Sequence, residues 1–403
     1  MIQPSLYTQP KIPAPLILSI DSVPDHRTAL PRIWKSSDTN RHLDRLGVGS
    51  VFLVADDRAY ACSGAETMLR RALRDRQVVR FTDFTANPKS HEIEQAVQAF
   101  RGGQFDLIIA VGGGSAIDVA KLARACDQPG ASAVDVIEKR ATIVPKGVPL
   151  LAIPTTAGTG AEATHFSAVY VDGRKHSLAD QSMRPEFVIL NEKLLASLPP
   201  EIMLQSGLDA TCQAIESMWS IRSTAESRSV AARALKLAWR ALPRCLAEPT
   251  DRSRSMMLQA SHLAGRAIDT SQTTACHALS YSLTSHFHLP HGRAVALMLA
   301  PVWSFNAAVS EENIADPRGV PYVQSIMQRI AAIIGAENVG HASALIKNRL
   351  SQLGAAISFS SCNIPADRAI DIIASEVDPH RAGNNPRRVG PGDVRDILLA
   401  LGD

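Results

Sequence analysis

Apolar positions along the chain follow two rhythms. In the first half, short apolar runs of strand length alternate with stretches whose apolar residues return every three or four positions. The runs predict strands at Leu16–Ile20, Val51–Ala55, Gln77–Phe81, Leu107–Val111, Leu150–Ile153, Ala168–Val171 and Phe187–Leu190. Helical patterns at Glu66–Asp75, Ser90–Gly102 and Ala116–Ala125 lie between them. Such alternation predicts an open parallel sheet covered by helices. The rhythm changes near Ser197-Leu-Pro-Pro-Glu201, a good helix start, and the remaining chain reads as helices broken at Pro243, Pro249, Pro290, Pro301, Pro317 and Pro365. The expected division is an α/β domain over residues 1–196 and an all-helical domain over 197–403.

The most telling stretch is Asp106-Leu-Ile-Ile-Ala-Val-Gly-Gly-Gly-Ser-Ala-Ile-Asp-Val-Ala-Lys121, a buried strand, a glycine turn and the first turns of a helix. Gly112, Gly113 and Gly114 permit a sharp turn and close approach of a bulky anion. Ser115 is expected to cap the helix, whose free N–H groups make a phosphate site. The spacing is not Gly-x-Gly-x-x-Gly, so the ordinary dinucleotide fingerprint is absent. A pyrophosphate cradle and a plain strand–helix turn both fit this segment taken alone.

Two further segments bear on a nucleotide. Asp56 ends a strand, where a carboxylate accepts from ribose hydroxyls and repels a 2′-phosphate, favouring NAD over NADP; it equally suits a loop start. The loop Ile153-Pro-Thr-Thr-Ala-Gly-Thr-Gly-Ala-Glu-Ala-Thr164 offers Thr155, Thr156 and Thr159 as a second wall of the same cleft. In the helical half, Asp209 and Gln213 share one helix face, as do His277 and Tyr281, and His291 comes after Pro290 at a loop or helix start. Side chains so placed converge on a metal ion or a substrate oxygen, or form a buried hydrogen-bond network.

Composition narrows the class. A 45% hydrophobic, 20% charged chain of 403 residues suits a folded enzyme with ample cores. A net charge of +3 is too small to suggest nucleic acid. Six cysteines without Cys-x-x-Cys spacing suggest free thiols in a reducing compartment. With no apolar stretch of about 18 residues, no membrane span is expected, and a cytoplasmic location is the expectation.

Gly112-Gly-Gly-Ser115 with Asp118 and Lys121, Pro154-Thr-Thr-Ala-Gly-Thr-Gly160, Gly207-Leu-Asp209-Ala210 and Pro290-His-Gly292 together resemble the iron-containing, group III alcohol dehydrogenase family. The resemblance implies the dehydroquinate synthase-like fold: an α/β dinucleotide-binding domain followed by an all-α domain. It also implies hydride exchange between NAD(H) or NADP(H) and a carbonyl or alcohol, and a homo-oligomer. The family's metal site has one aspartate and three histidines. Asp209 and His291 match it, whereas Gln213 and Tyr281 are taken to stand at the other two positions, so Fe2+ or Zn2+ is expected weakly bound or lost.

Asp209-Ala-Thr-Cys-Gln213, Thr274-Ala-Cys-His277-Ala-Leu-Ser-Tyr281 and Asn384-Asn-Pro-Arg387 further resemble the phosphonoacetaldehyde reductase branch. That implies a small anionic carbonyl substrate, an aldehyde or ketone phosphonate, reduced in phosphonate biosynthesis. On this reading Asp56, Gly112, Gly113, Gly114, Ser115, Asp118, Thr155, Thr156 and Thr159 hold the cofactor. Tyr281 or His277 donates the proton, assisted by Lys175, and Arg266 or Arg293 grips the phosphonate. The competing readings are a metal-dependent dehydrogenase of uncharged alcohols or polyols and a non-catalytic nucleotide-binding relative.

Overall fold

The computed structural model describes residues 30–145 and 147–401. The expected strand at Leu16–Ile20 lies outside the described residues.

Six parallel strands form the main sheet: β1 (Arg32–Trp34), β2 (Ser50–Ala55), β3 (Gln77–Phe81), β4 (Leu107–Gly112), β5 (Leu150–Pro154) and, after a separate hairpin, β8 (Phe187–Ile189). Their order is β1-β8-β5-β4-β2-β3. The central strands β4 and β5 are buried throughout, as expected where helices cover both faces. The helices of this half are α1 (Thr39–Arg45), α2 (Asp57–Cys62), α3 (Ala65–Leu73), α4 (Ser90–Arg101), α5 (Gly114–Ala125) and α6 (Ala133–Ile137). Because β5, β4 and β2 are neighbours, the segments leaving their carboxyl ends meet on one edge of the sheet. That edge is where open α/β sheets bind ligands.

The predicted strand Ala168–Val171 is real but does not join the parallel sheet. It belongs to an antiparallel hairpin of β6 (Phe166–Val171) and β7 (Arg174–Ala179). Asp172 (φ +47°) and Gly173 (φ +77°) make its two-residue turn, the geometry that closes a hairpin tightly.

Beyond Ile189, helices dominate: α7 (Pro200–Trp219), α8 (Ala225–Ala247), α9 (Asp251–Ser271), α10 (Ala275–Phe287), α11 (His291–Ala307), α12 (Val320–Ile334), α13 (Val339–Gln352), α14 (Ala366–Glu376), α15 (Pro379–Ala382) and α16 (Pro391–Leu399). From Gly207 to Trp219, α7 is buried on every side, the mark of a central helix. Pro243 and Pro301 do not break their helices as expected; they lie inside α8 and α11. The packing of residues before and after them, Leu242 and Cys245 in α8 and Ala300 and Val302 in α11, holds both helices together across the lost hydrogen bond. No helix among the described residues is long and apolar enough to cross a membrane.

Candidate active site and cofactor cleft

The cofactor cleft starts from the glycine turn. Gly112 adopts φ +153°, and a Cβ there would lie 2.6 Å from Ala116 Cβ and 3.2 Å from Asp56 Cβ. Only glycine lets β4 pass so close to the end of β2. A Cβ on Gly114 would sit 2.8 Å from Thr159 Oγ1, and one on Gly113 3.3 Å from Thr156 Cγ2. The glycine turn and the threonine loop are therefore two walls of one narrow cleft. Thr155 Oγ1 is buried there without a hydrogen-bond partner among the described residues, a donor free for a ligand.

Three expected cofactor residues have partners within the protein. Ser115 does not cap the helix: α5 begins one residue earlier with Gly113 as cap, and Ser115 Oγ accepts from Asn87 N at 3.2 Å. Asp118 lies beyond the cradle, where its carboxylate accepts from Ala168 N of β6 at 3.1 Å. Asp56 caps α2 at the carboxyl end of β2, its Oδ1 accepting from Ala59 N at 2.8 Å.

The second constellation forms where α7, α10 and α11 meet. The ligating atoms of Asp209, His277 and His291 lie within 4.8 Å of one another. Their approach depends on Gly292: a Cβ there would fall 1.8 Å from Gln205 O and 3.2 Å from Asp209 Cβ, so only glycine lets the start of α11 touch α7. His277 Nε2 stands 3.2 Å from Asp209 Oδ1, while its Nδ1 faces Glu216 Oε2. Glu216, fully buried, also accepts from the backbone and hydroxyl of Thr274 at 3.0 and 2.9 Å. Glu216 thus keeps a proton on Nδ1 and aims Nε2 inward, the usual arrangement behind a metal-binding histidine.

Electrostatics complete the picture. Burial would lower His277, but Glu216 and Asp209 outweigh it and raise its pKa to about 9. Burial and then Lys175 push His291 down to about 3, leaving a free lone pair. Burial would raise Asp209, but its hydrogen bond to His277 and the nearby charges of His277 and Lys175 keep it low. An ionised carboxylate, a neutral imidazole and a nitrogen that favours a positive charge suit a divalent cation. Gln213, one helical turn beyond Asp209, adds a buried Oε1 with no donor among the described residues. The residues therefore fit a metal ion. The histidine that joins Asp209 and His291 is His277, and Tyr281, which the resemblance sets at a ligand position, stands beside them with its ring on His291.

Tyr281 plays a different part. Its ring stacks on His291, with centroids 5.8 Å apart and planes within 6°. Lys175 Nζ lies 4.2 Å and Arg381 Cζ 4.8 Å from the Tyr281 ring centre, and Arg381 Nη1 donates to the phenol oxygen. Burial raises the phenol pKa despite Arg381, so it stays protonated. Lys175 reaches this place because it pairs with Tyr170 across the hairpin. Burial and then Arg381 lower its pKa to about 8, against the opposing pull of Asp209 and Asp118.

Neither arginine expected at the substrate is brought here. Arg266 has Glu226 and Arg233 of α8 as its charged neighbours, because its position on α9 turns it toward the outer helices. Arg293 pairs with Glu201 at 2.8 Å. The arginine that stands beside Tyr281 is Arg381, which the sequence did not single out. Its only local signal is a basic residue in the short polar segment before Asn384-Asn-Pro-Arg387.

Comparison with known proteins agrees with this geometry. A sequence model of iron-containing alcohol dehydrogenase matches residues 35–192, and the C-terminal model of the Fe-containing alcohol dehydrogenase family matches residues 203–402. The chain belongs to the iron-containing alcohol dehydrogenase family. As a member it is an NAD(P)-dependent oxidoreductase of alcohols and carbonyls, working with NAD(H) and a metal such as iron. It is 35% identical over 307 residues to phosphonoacetaldehyde reductase of Streptomyces viridochromogenes, covering 73% of this chain and 75% of that protein. It is 34% identical to long-chain-alcohol dehydrogenase 1 of Geobacillus thermodenitrificans, over 59% of this chain and 60% of that protein. Among solved structures, sulfoacetaldehyde reductase of Bifidobacterium kashiwanohense in complex with NAD+ superposes with a TM-score of 0.83 at 27% identity, covering 93% of this chain and 98% of that one.

Proposed function

We propose that this member of the family reduces a small aldehyde carrying a tetrahedral anion, with a phosphonate aldehyde of the phosphonoacetaldehyde type as the favoured substrate. The observation that carries the proposal is the meeting of Lys175 and Arg381 on the Tyr281 ring beside Asp209, His277 and His291. Arg381 pairs through Nε with Asp378 at 3.4 Å, and an anion bound between Arg381 and Lys175 would offset the repulsion that remains between these two cations. Relatives support the choice, since one is named for a phosphonate aldehyde and a structural neighbour for a sulfonate aldehyde.

When bound, NADH supplies the hydride and the metal ion a Lewis acid for the carbonyl oxygen. Asp209, His277 and His291 hold the ion, and Glu216 fixes the ring of His277. The glycine turn and the threonine loop, with the free Thr155 hydroxyl, would hold the dinucleotide. Lys175 and Arg381 grip the anionic end, which orients the carbonyl toward the metal-binding residues. Arg381 occupies a lone pair of Tyr281 Oη and leaves the O–H free, so this phenol donates the proton to the developing alkoxide.

The test is the rate of NADH oxidation with phosphonoacetaldehyde, sulfoacetaldehyde and propanal in wild type and Arg381→Met. The proposal requires that kcat/KM for the anionic aldehydes exceed that for propanal, and that the substitution remove most of the difference. Equal efficiency with propanal in the wild type would replace it with an uncharged-alcohol dehydrogenase. Preference for the sulfonate would shift the substrate while keeping the anion site.

A further inference from the structure

We propose that Gln213 is itself a metal ligand, so that this chain holds its ion with two oxygens and two imidazole nitrogens and favours harder divalent cations than a site with a third imidazole would. The inference does not depend on which aldehyde is reduced.

Three observations carry it. Gln213 is 4% exposed, and its Oε1 has no hydrogen-bond donor among the described residues. It lies four residues after Asp209 on α7, which puts the two side chains on the same face one turn apart. The alternatives for a fourth donor are used up or missing. Glu216, the next residue on that face, is committed to Thr274 and His277. Among the described residues, no cysteine sulfur joins Asp209, His277 and His291 in the cluster.

The donor atoms decide the chemistry. An amide ligates through oxygen only, because its nitrogen lone pair is delocalised into the carbonyl. Oxygen donors suit Mn2+ and Mg2+, whereas imidazole suits Zn2+ and iron. Exchanging one imidazole for an amide oxygen therefore costs Zn2+ more affinity than Mn2+. Zn2+ still binds more tightly in absolute terms, but its margin shrinks.

The experiment is a chelator-competition titration of the metal-stripped full chain with Zn2+ and with Mn2+, in the absence of aldehyde, for wild type, Gln213→His and Gln213→Leu. Circular dichroism checks the fold of each. Gln213→His should widen the preference for Zn2+ over Mn2+ by about tenfold or more, and Gln213→Leu should weaken both ions by about tenfold. The visible absorption of bound Co2+ should differ between wild type and Gln213→His, since the third imidazole changes the ligand field. Unchanged affinities in Gln213→Leu, or an unchanged Zn2+ to Mn2+ ratio in Gln213→His, would overturn the proposal. So would failure of the wild type to bind either ion. Because no substrate is present, none of these outcomes bears on the anion site.

Discussion

Glu216 and His277 form a buried carboxylate–imidazole pair, one on α7 and the other at the start of α10, in which Glu216 Oε2 accepts from Nδ1. The same carboxylate takes the first free amide groups of α10 through Thr274 and His277, so one side chain both starts the helix and orients its ring.

Glu216→Gln keeps the shape and removes the charge. We expect metal affinity to fall by about 10- to 100-fold, as found when partners behind metal-bound histidines are lost. Chelator competition measures it. Unaltered affinity would mean that Glu216 serves only the helix start.

Tyr281→Phe deletes the phenol oxygen and keeps the ring that Lys175 and Arg381 face. The expected result is a kcat lowered by about 10²-fold with KM for an anionic aldehyde little changed, the pattern of a lost proton donor. If KM rises and kcat holds, the phenol positions Arg381 instead.

Gly292→Ala should abolish the site. Its Cβ would meet Gln205 O at 1.8 Å, so α11 must move away from α7 and take His291 with it. A loss of about 1–3 kcal/mol in stability from overpacking is expected, together with loss of metal-induced thermal stabilisation. Retention of that stabilisation would show that α11 can shift without parting His291 from Asp209.

Lys121, fully buried on α5, donates to Thr164 Oγ1 and Phe166 O, each at 2.9 Å. Burial lowers its pKa from 10.5 to about 8, despite the opposite charge of Asp118. Between those values the unfolded chain binds more protons than the folded one. Lys121 therefore adds stability as pH rises from about 8 to 10.5, by up to about 3 kcal/mol. Denaturant unfolding of wild type and Lys121→Met across that window isolates the effect, since Lys175 carries a shift of the same sign. Parallel pH profiles would refute it.

The inner strands of the sheet were readable because they are buried and almost uninterruptedly apolar, whereas the edge strand β3, exposed at four of its five residues, was legible only as a short apolar run between helical patterns. Val51–Ala55, Gln77–Phe81 and Leu150–Ile153 match β2, β3 and β5 almost to the residue. The strand β7 escaped because its run, Arg-Lys-His-Ser-Leu-Ala, is half-exposed and mostly polar, although Asp172-Gly173 before it is a strong hairpin signal. Positions 277 and 281 share a helix face, so spacing alone could not say which faces Asp209; the pull of Glu216 on Nδ1 decides it. Arg381 was invisible for another reason. Its contact with Tyr281 joins residues 100 apart, and the helix that bears it has only four residues and no periodicity to read.

The short helix α15 also bears on how this protein comes into being. Ribosomes add residues in order, so the dinucleotide cleft and the cluster of Asp209, His277 and His291 can emerge and fold while Arg381 is still being made. If Arg381 selects the aldehyde as proposed, a chain that stopped before α15 would carry every residue of the cleft and of the Asp209 cluster and lack that cation. On that reading, discrimination is the last property this enzyme completes during synthesis.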